Sequence, residues 1–298
     1  MKAGVDFGLA YSPIRAMIGR TLEDIVKYPR VLGAIDEVSL EAARTVLSTV
    51  SKGGIVEVRD IKTAEAVKLF ENIYRDVNIA LANELSEFCE KMGIDFIEVR
   101  RSANTQPYCH LLLPGLVSGH IPKDPYLLIS EAETLRMKLR IVTASRRVND
   151  DVLRRTLRLL KDALRSCGKT ARRARVLILG ISYRPNVKEV KGSLVMDLIK
   201  ILQNKGMTVR VYDPLFSYSE LVKMGCPAER TLMKSVKDMD CLLIAVGHEK
   251  FKQLNLKRLK MFMRKPAALV DLAHVLECEY VEREGFIYRG LGRGVWTI

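Results

Sequence analysis

The chain has 298 residues, which is enough for about two domains of ordinary size. Its apolar fraction of 48% and charged fraction of 28% are those of a globular protein and exclude a disordered chain. The net charge of +14 is compatible with anionic partners such as nucleic acid, or with Lys and Arg that coat solvent-facing helices. The second explanation is the more ordinary one.

Cysteine spacing argues against a disulfide framework and against a metal site. The six cysteines are scattered, with no C-x-x-C pair and no His at the spacing of a zinc ligand. This pattern is typical of thiols in a reducing compartment. No secretory signal is visible, and no apolar run approaches the roughly 20 residues that span a bilayer. We therefore expect a soluble, cytoplasmic protein without a bound metal.

Residues 1–60 resemble the last part of a domain. A short apolar strand over Val5–Tyr11 runs into the turn Ser12-Pro13, and helical patterns follow over Thr21–Tyr28 and Leu40–Val50. These elements are too few to cover both faces of a sheet.

The stretch from Ile61 to Met92 predicts one long helix that ends at Gly93. Thr63 is a candidate start, with Glu65 in the first turn. At 1.5 Å per residue the helix is about 45 Å long, more than one small domain needs. A helix of this length is typical of a bridge between domains or of a contact between two copies.

A second helical region is predicted from Glu131 to Leu164, followed by a polar linker over Ser166–Arg173. Strand and helix then alternate, which predicts a parallel α/β sheet with helices on both faces. The predicted strands are Arg175–Leu179, Val209–Tyr212, Leu242–Val246, Ala268–Val270 and Phe286–Tyr288, with a helix over Ser193–Lys205 that Ser193 would cap.

Lys68 and Asn72 lie four residues apart and therefore share one face of the long helix. A cation beside an amide can stabilise a developing oxyanion or orient a water molecule. From spacing alone, an ordinary solvated lysine is the simpler interpretation.

Two motifs carry a resemblance to a known family. They are Lys-Leu-x-Glu-Asn-x-Tyr-Arg-x-Val-Asn-Ile-Ala at 68–80 and Pro-Gly-Leu-Val-Ser-Gly-His-Ile-Pro-Lys-Asp-Pro-Tyr at 114–126. Together they resemble the catalytic core of the nucleotide-sugar 6-dehydrogenases (the UDP-glucose/GDP-mannose dehydrogenase family), and within it most strongly the UDP-N-acetylmannosamine dehydrogenases. The likeness extends from about Val5 to the end of the chain.

The resemblance implies an α/β fold with three regions. Residues 1–60 would be the remnant of an N-terminal NAD-binding Rossmann domain, 61–165 a central long-helix dimerisation domain with the active-site loop, and 172–298 a C-terminal UDP-sugar-binding domain with a doubly wound, Rossmann-like parallel sheet. The family reaction is the NAD-dependent oxidation of a sugar C6 alcohol to a carboxylate.

Position by position, the resemblance assigns catalytic roles to Lys68, Asn72 and Asp124, the last in a loop between Lys123 and Pro125. It assigns substrate contacts to a second set of residues. These are Arg15, Asn104, Gly119, Tyr183, Arg184 and Lys191.

The sequence departs from the family at positions that take part in its catalytic chemistry. His120 occupies the position of the nucleophilic Cys, or that Cys is deleted, and a thiolate is needed for the thioester route. Ile14 replaces a carboxylate in the Ser-Pro-Glu motif, and Cys109 is out of register as a substitute.

Two further departures concern binding. Lys191 replaces an Arg that handles the diphosphate, so the bidentate fork is lost. The sequence contains no Gly-x-Gly-x-x-Gly, so the residues that would bind NAD stay unassigned. We interpret the glycines at Gly4 and Gly8, and the run Gly290-Leu-Gly-Arg-Gly294, as coincidence.

Three functional hypotheses remain open: a catalytically lapsed dehydrogenase, a split enzyme whose NAD domain is a separate chain, and a non-catalytic sugar-nucleotide-binding or scaffold protein. Expected partners are a UDP-sugar, a second copy bound through helix 61–92, and possibly that separate NAD-domain chain or an intact paralogue. Neither nucleic acid nor a membrane is expected. Apolar surface around Val5–Ile35 should be exposed.

Overall fold

The computed structural model describes residues 1–119 and 121–293. His120, which stands at the family's nucleophile position, lies outside the described residues, as does the last glycine of the 290–294 run. Contacts divide the chain into two compact units, the first formed by 1–75 and 124–136 and the second by 76–123 and 137–298.

The first unit contains a small mixed sheet. Strand β1 (Ala10–Tyr11) pairs antiparallel with β2 (Arg30–Ala34), which pairs in parallel with β3 (Ile55–Glu57). The helices α1 (Thr21–Lys27) and α2 (Glu37–Ser48) confirm the two predicted helical patterns within a few residues. The predicted strand over Val5–Tyr11 was too long, since only its last two residues pair.

Apolar side chains of the first unit are exposed, as expected. Leu22 is 81% exposed and Val5 is 72% exposed. Four further apolar side chains of this unit are also exposed, by 43% to 58%: Phe7, Leu9, Ile14 and Ile35. Scattered exposed apolar residues are normal on a monomer, but a concentration of them marks a surface that another element covers.

Helix α3 (Ile61–Met92) has the predicted bounds. Its start is different in detail: the carboxylate of Asp60 accepts a hydrogen bond from the Thr63 amide at 2.8 Å, so Asp60 and not Thr63 caps the helix. At the other end Gly93 has φ +70°, a left-handed conformation that glycine adopts without strain.

The helical region predicted over Glu131–Leu164 is wrong as one element. It is two helices, α5 (Asp124–Thr134) and α6 (Arg140–Ser166), and helix α4 (Phe96–Ala103) precedes them. The break contains no Gly or Pro. Instead Arg136 has φ +57°, which stops helical hydrogen bonding.

The second unit is built on a five-stranded parallel sheet of order β5-β4-β6-β7-β8. Each of the five strands predicted for this sheet is confirmed within about two residues, and the doubly wound order with helices between successive strands matches the expected fold class. The strands are β4 (Arg175–Leu179), β5 (Thr208–Tyr212), β6 (Cys241–Ile244), β7 (Ala268–Asp271) and β8 (Ile287–Gly290).

Alternation along β4 explains why both faces of this sheet are covered. Val176 and Ile178 belong to one buried cluster with α6 and α7 (Val195–Asn204). Leu177 and Leu179 point to the other face and belong to a second cluster. That second cluster is closed by α9 (Leu232–Val236), α10 (Leu256–Met261) and α11 (Cys278–Arg283); α8 (Tyr218–Lys223) and a 3-10 turn (Glu249–Gln253) complete the unit.

The predicted cap of α7 is supported in part. Leu194 is the residue directly before the first helical residue and has no side-chain cap of its own. The Ser193 hydroxyl accepts from the Val195 amide at 3.3 Å, as a cap does, and also donates to the carbonyl of Ser182 at 3.4 Å. The serine therefore joins the helix to the segment that follows β4, which bears on the site below.

Candidate functional site

A pocket of about 210 Å³ lies at the carboxyl ends of β4, β6 and β7 in the second unit. The chain leaves β4 for β5 on one side, and β6 lies on the other side, so this edge is a switch point of the sheet. Ligands of open α/β sheets bind where the strand order reverses in this way. The pocket is lined by the loop at 115–118, by the segments that follow β4, β6 and β7, and by Val195. Among the lining residues are Gly115, Ser118, Tyr183, Arg184, Val246 and Gly247.

Gly180 allows the segments after β4 and β6 to meet. It has φ +88°, and a Cβ at this position would lie 2.7 Å from Cβ of Val246. Any larger residue would push the two segments apart.

Two of the predicted binding residues, Gly119 and Tyr183, are in contact. A Cβ on Gly119 would lie 2.9 Å from Cδ2 of the Tyr183 ring. The Gly119 amide donates to the carbonyl of Gly192 at 2.9 Å, which brings the loop at 114–119 against the segment before α7. Arg184 lines the pocket. Lys191 is an exposed residue that directly precedes Gly192 in the chain.

A buried polar network holds the start of the same loop. The Asn83 side chain accepts from the Gly115 amide at 2.8 Å and donates to the Gly115 carbonyl at 3.2 Å. It also donates to Asn149 at 2.9 Å, and Asn149 in turn donates to the carboxylate of Asp76. Arg146 forms an ion pair with that carboxylate.

The network is charged and almost fully enclosed. Burial raises the pKa of Asp76, and the Arg146 guanidinium and the Asn149 amide act against that rise. No role was predicted from the sequence for Asn149, Arg146 or Asn83. No local signal could identify Asn83, because its partners are more than 30 residues away.

A second group of predicted residues lies in the first unit. The Asn72 amide donates to the carboxylate of Asp124. Asp124 is not in a loop as predicted: it is the first residue of α5, where the positive end of the helix stabilises a negative charge. Lys68 lies one turn before Asn72 on α3 and is half-buried. An ammonium, an amide and a carboxylate are thus available for proton transfer and for stabilising an oxyanion.

Arg15 has a protein partner in the same unit. Its guanidinium pairs with Glu71 at 2.6 Å and donates to the Pro29 carbonyl at 3.2 Å. The neighbouring position, where a family carboxylate is missing, is the exposed Ile14.

Asn104 uses its side chain to hold backbone. Its oxygen accepts from the Leu111 amide at 2.8 Å, and its nitrogen donates to the Leu111 carbonyl at 3.0 Å. The predicted substrate contact of Asn104 stays a prediction.

His274 lies where the connection after β7 turns, at φ +53°. Burial, together with the Arg293 charge, lowers the pKa of His274 to about 4, and the nearby Pro114 carbonyl only partly opposes this. Both ring nitrogens are enclosed, and among the described residues none completes a hydrogen bond with them. The Asp271 carboxylate accepts from the amides of Ala273, Val275 and Leu276 and so fixes this turn.

The described part of the first unit does not fit a dinucleotide. A pyrophosphate needs amides at a glycine-rich turn before a helix. Helix α2 is capped by the Asp36 carboxylate and begins with Glu37, and α1 has Glu23 and Asp24 in its first turn. These acidic groups would repel a phosphate. Within the described residues no group of three or more His, Cys, Asp or Glu could hold a metal ion.

Comparison with known proteins agrees with this geometry. Residues 62–151 match the model of the UDP-glucose/GDP-mannose dehydrogenase family, central domain, and residues 177–278 match its UDP binding domain. A UDP-N-acetyl-D-mannosamine dehydrogenase of Pyrococcus horikoshii is 33% identical over 296 residues, which are 99% of this chain and 67% of that protein. The chain belongs to the UDP-glucose/GDP-mannose dehydrogenase family.

Other members are similar over the same span. A UDP-N-acetyl-D-glucosamine 6-dehydrogenase of Salmonella typhi is 30% identical and covers 92% of this chain and 64% of its own length. A structure of the UDP-D-ManNAc dehydrogenase of Pyrococcus horikoshii aligns with a TM-score of 0.87 at 32% identity, over 98% of this chain and 66% of that one. A structure of an NDP-N-acetyl-D-galactosaminuronic acid dehydrogenase of Methanosarcina mazei aligns with a TM-score of 0.88 at 29% identity. The alignment covers 98% of this chain and 64% of that one.

The chain therefore spans about two thirds of the length of these family members. In the part of the chain that the structure describes, the helices are all too short or too polar to cross a membrane.

Gly119→Ala should displace the Tyr183 ring and weaken binding of UDP, because the new methyl group would overlap it. Gly225→Ala is the matched control: Gly225 also has a left-handed backbone (φ +76°) but no atom within 4 Å of the added Cβ. Both variants should lose about 1 kcal/mol of unfolding free energy. Only Gly119→Ala should raise the Kd measured by calorimetry, and equal affinities would contradict the contact.

His274→Asn should make the free energy of unfolding less sensitive to acid. Because the folded-state pKa of His274 is about 4 and an unfolded histidine titrates near 6.5, the unfolded chain alone takes up this proton between those values. The contribution of His274 to the free energy of unfolding is fully present above pH 6.5. It falls by up to roughly 3 kcal/mol as the pH decreases toward 4. Asn tolerates the left-handed backbone and lacks the titration.

Urea unfolding at neutral pH and at about pH 5 measures this difference between the native chain and the variant. Carboxylates with raised pKa values, such as Asp76 and Glu90, are present in both proteins and cancel. His110→Asn, at an exposed position, is the control. Parallel pH profiles for native chain and His274→Asn would show that the ring is not buried in its neutral form.

Proposed function

We propose that this chain binds a UDP-sugar through its C-terminal α/β region and does not complete the family's four-electron oxidation by itself. The observation that supports binding is the pocket at the switch point of the parallel sheet. Most of its wall, including Tyr183 and Arg184, belongs to the region that matches a UDP binding domain. The aromatic ring and the guanidinium are suited to stack on a base and to pair with a phosphate.

The residues with assigned roles support a division between binding and chemistry. Lys68, Asn72 and Asp124 keep the residue types of the catalytic group, and the Asn72–Asp124 hydrogen bond is formed. The thiolate position is His120, and an imidazole does not form the thioester that the family route passes through. With no dinucleotide cradle in the described residues, hydride transfer to NAD needs a contribution from elsewhere.

Within the family, UDP-N-acetylmannosamine is the proposed sugar nucleotide. The support is similarity to proteins named for that substrate. In this proposal residues 1–60 belong to an NAD-domain region, 61–165 to a central region and 172–298 to the UDP-sugar region.

A second copy of the chain is the proposed partner of α3. Leu81, Leu85, Phe88 and Met92 follow each other at spacings of four, three and four, so they form one face of the helix. All four are exposed, Phe88 by 58% and Met92 by 61%. A continuous apolar face on a long helix is the kind of surface that association covers.

A split enzyme is the second candidate function. It is favoured by an open apolar groove of about 430 Å³ in the first unit, between β1 and α2, whose walls include Leu9, Leu32 and Val46. A separate chain or intact paralogue with an NAD domain would cover that groove and supply the missing cofactor site. It would leave the absence of the Cys unexplained.

Calorimetric titration with UDP and with UDP-N-acetylmannosamine tests the proposal. We expect saturable binding of both and no NADH formation by the chain alone. The absence of heat at millimolar ligand, from a chain shown to be folded by circular dichroism, would overturn the binding proposal. NADH formation above that of a His120→Ala variant would overturn the claim that chemistry is incomplete.

Lys191→Arg should bind UDP more tightly, by about tenfold, because a guanidinium donates two parallel hydrogen bonds to a phosphate where an ammonium acts as a point charge. Lys200→Arg, on the exposed side of α7, makes the same replacement away from the pocket and should leave the Kd unchanged. Equal affinities for Lys191→Arg and the native chain would remove this residue from the phosphate site.

Light scattering should give the mass of a dimer, or of a larger complex when a partner chain is present. Phe88→Glu places a charge on the apolar face and should shift the mass toward the monomer. Lys91→Glu introduces the same group on an adjacent side of α3, where the native lysine is already exposed, and should not. A monodisperse native monomer would contradict the proposed contact.

A further inference from the structure

His248 is a buried histidine with two specific polar partners. It lies in the connection after β6 and is 1% exposed. Its Nδ1 accepts a hydrogen bond from the Asn186 amide at 3.0 Å, so that nitrogen carries no proton. Its Nε2 lies 3.1 Å from the Asp213 carboxylate and must therefore be the donor. The contacts define a neutral ring protonated on Nε2.

Asn186 completes a second link between the same two segments. Its side-chain oxygen accepts from the Glu249 amide at 3.0 Å. Its backbone is left-handed, with φ +60°, a conformation that Asn tolerates. Two hydrogen bonds thus cross between residues 186 and 248–249, at the end of the segment that carries Tyr183 and Arg184.

Asp213 holds the beginning of that segment. One oxygen accepts from the Ile181 amide at 2.8 Å, and from the Ser182 amide at 3.3 Å and hydroxyl at 3.2 Å, besides His248. Burial alone would raise the pKa of Asp213, but the hydrogen bonds from His248 and from the backbone lower it overall. The carboxylate is thus ionised and joins the segments that follow β4, β5 and β6.

We propose that His248 is a positioning residue for the UDP site: acting through Asn186 and oriented by Asp213, it fixes the segment 183–185 in the conformation that binds the nucleotide. This inference rests on the proposed function of the pocket. It assigns His248 a role that its packing does not require, since an edge contact with the Phe251 ring could be made by an apolar side chain of similar size.

Two variants of His248 separate a role in hydrogen bonding from a role in packing alone. His248→Gln keeps a side-chain donor and an acceptor, whereas His248→Leu fills the space without either. Without these hydrogen bonds the segment 183–185 is no longer held in place, so the Leu variant should bind UDP about tenfold more weakly. The Gln variant should stay within about threefold of the native Kd. A Leu variant that is folded and binds like the native chain would overturn the proposal, and so would equal losses in both variants.

Amide hydrogen exchange without ligand separates this inference from the proposed function. His248→Leu should speed exchange in residues 183–186, and His248→Gln should not. Should the native chain bind no UDP, the binding proposal fails, and the exchange rates still decide whether His248 orders the segment. Unchanged exchange in His248→Leu would refute the positioning role.

If His248→Leu does not fold, Asn186→Gly supplies the second variant. Glycine keeps the left-handed backbone and the amide that His248 accepts from, and removes only the link to Glu249. We expect faster exchange of residues 183–185 and a Kd above that of the native chain. Native exchange and native affinity in this variant would show that the Asn186–Glu249 hydrogen bond does not order the segment, which contradicts the proposed route through Asn186.

Discussion

Parallel pairing of β4 with both β5 and β6 is the constraint on which the candidate site depends. It brings the carboxyl ends of three strands to one edge, so three connecting segments must share a small volume. Their backbone amides cannot remain unpaired once they are enclosed. Gly180 provides the close approach, and one carboxylate, Asp213, accepts hydrogen bonds from the segments after β4 and β6 as well as from its own. The pocket is what remains open once these requirements are met.

The buried network around Asp76 solves a similar problem for the loop at 114–119. A carboxylate without exposure is costly, and its Arg146 partner is itself almost fully buried. Such a pair adds little stability compared with apolar packing, but removing one partner from it is expensive. Through Asn149 and Asn83 the pair fixes Gly115 at two backbone atoms. The pair therefore contributes mainly by fixing the conformation of the loop at 114–119, and contributes little to overall stability.

Elements with strong periodicity could be predicted from the sequence. Helix α3 and the strands of the large sheet were found because their apolar spacing is uninterrupted. The break between α5 and α6 could not be found, because Arg136 adopts a positive φ without a glycine or proline to indicate it. A serine before a helix predicts a cap, and Ser193 does accept from the Val195 amide. Its second hydrogen bond, to the Ser182 carbonyl, could not be predicted because the two residues are brought together only by the fold.

Long-range contacts account for the rest. The run from Gly290 to Gly294 was not interpreted as a dinucleotide motif, and its packing role could not be predicted. The Phe96 amide donates to the Gly292 carbonyl at 2.8 Å, and Gly292 leaves no room for a Cβ beside Phe96 and Ser86. Nothing near Gly292 in sequence indicates these partners. His248 and Asn83 were missed for the same reason. Gly119 and Tyr183 were placed together only by resemblance to the family, and the contact between them was then found in the structure.

The buried polar groups near the pocket bear on the proposal that the chain binds a ligand. Two of the departures from the family motifs, Ile14 and Lys191, lie at exposed positions. The buried groups that order the pocket and its loop, including Asp213, His248, Asp76 and Asn83, each have several partners. An unpaired buried charge would cost about 3–5 kcal/mol, a large part of the stability of a domain. Folding alone could be satisfied by apolar replacements at these positions. The polar groups therefore support the proposal that this pocket holds a ligand.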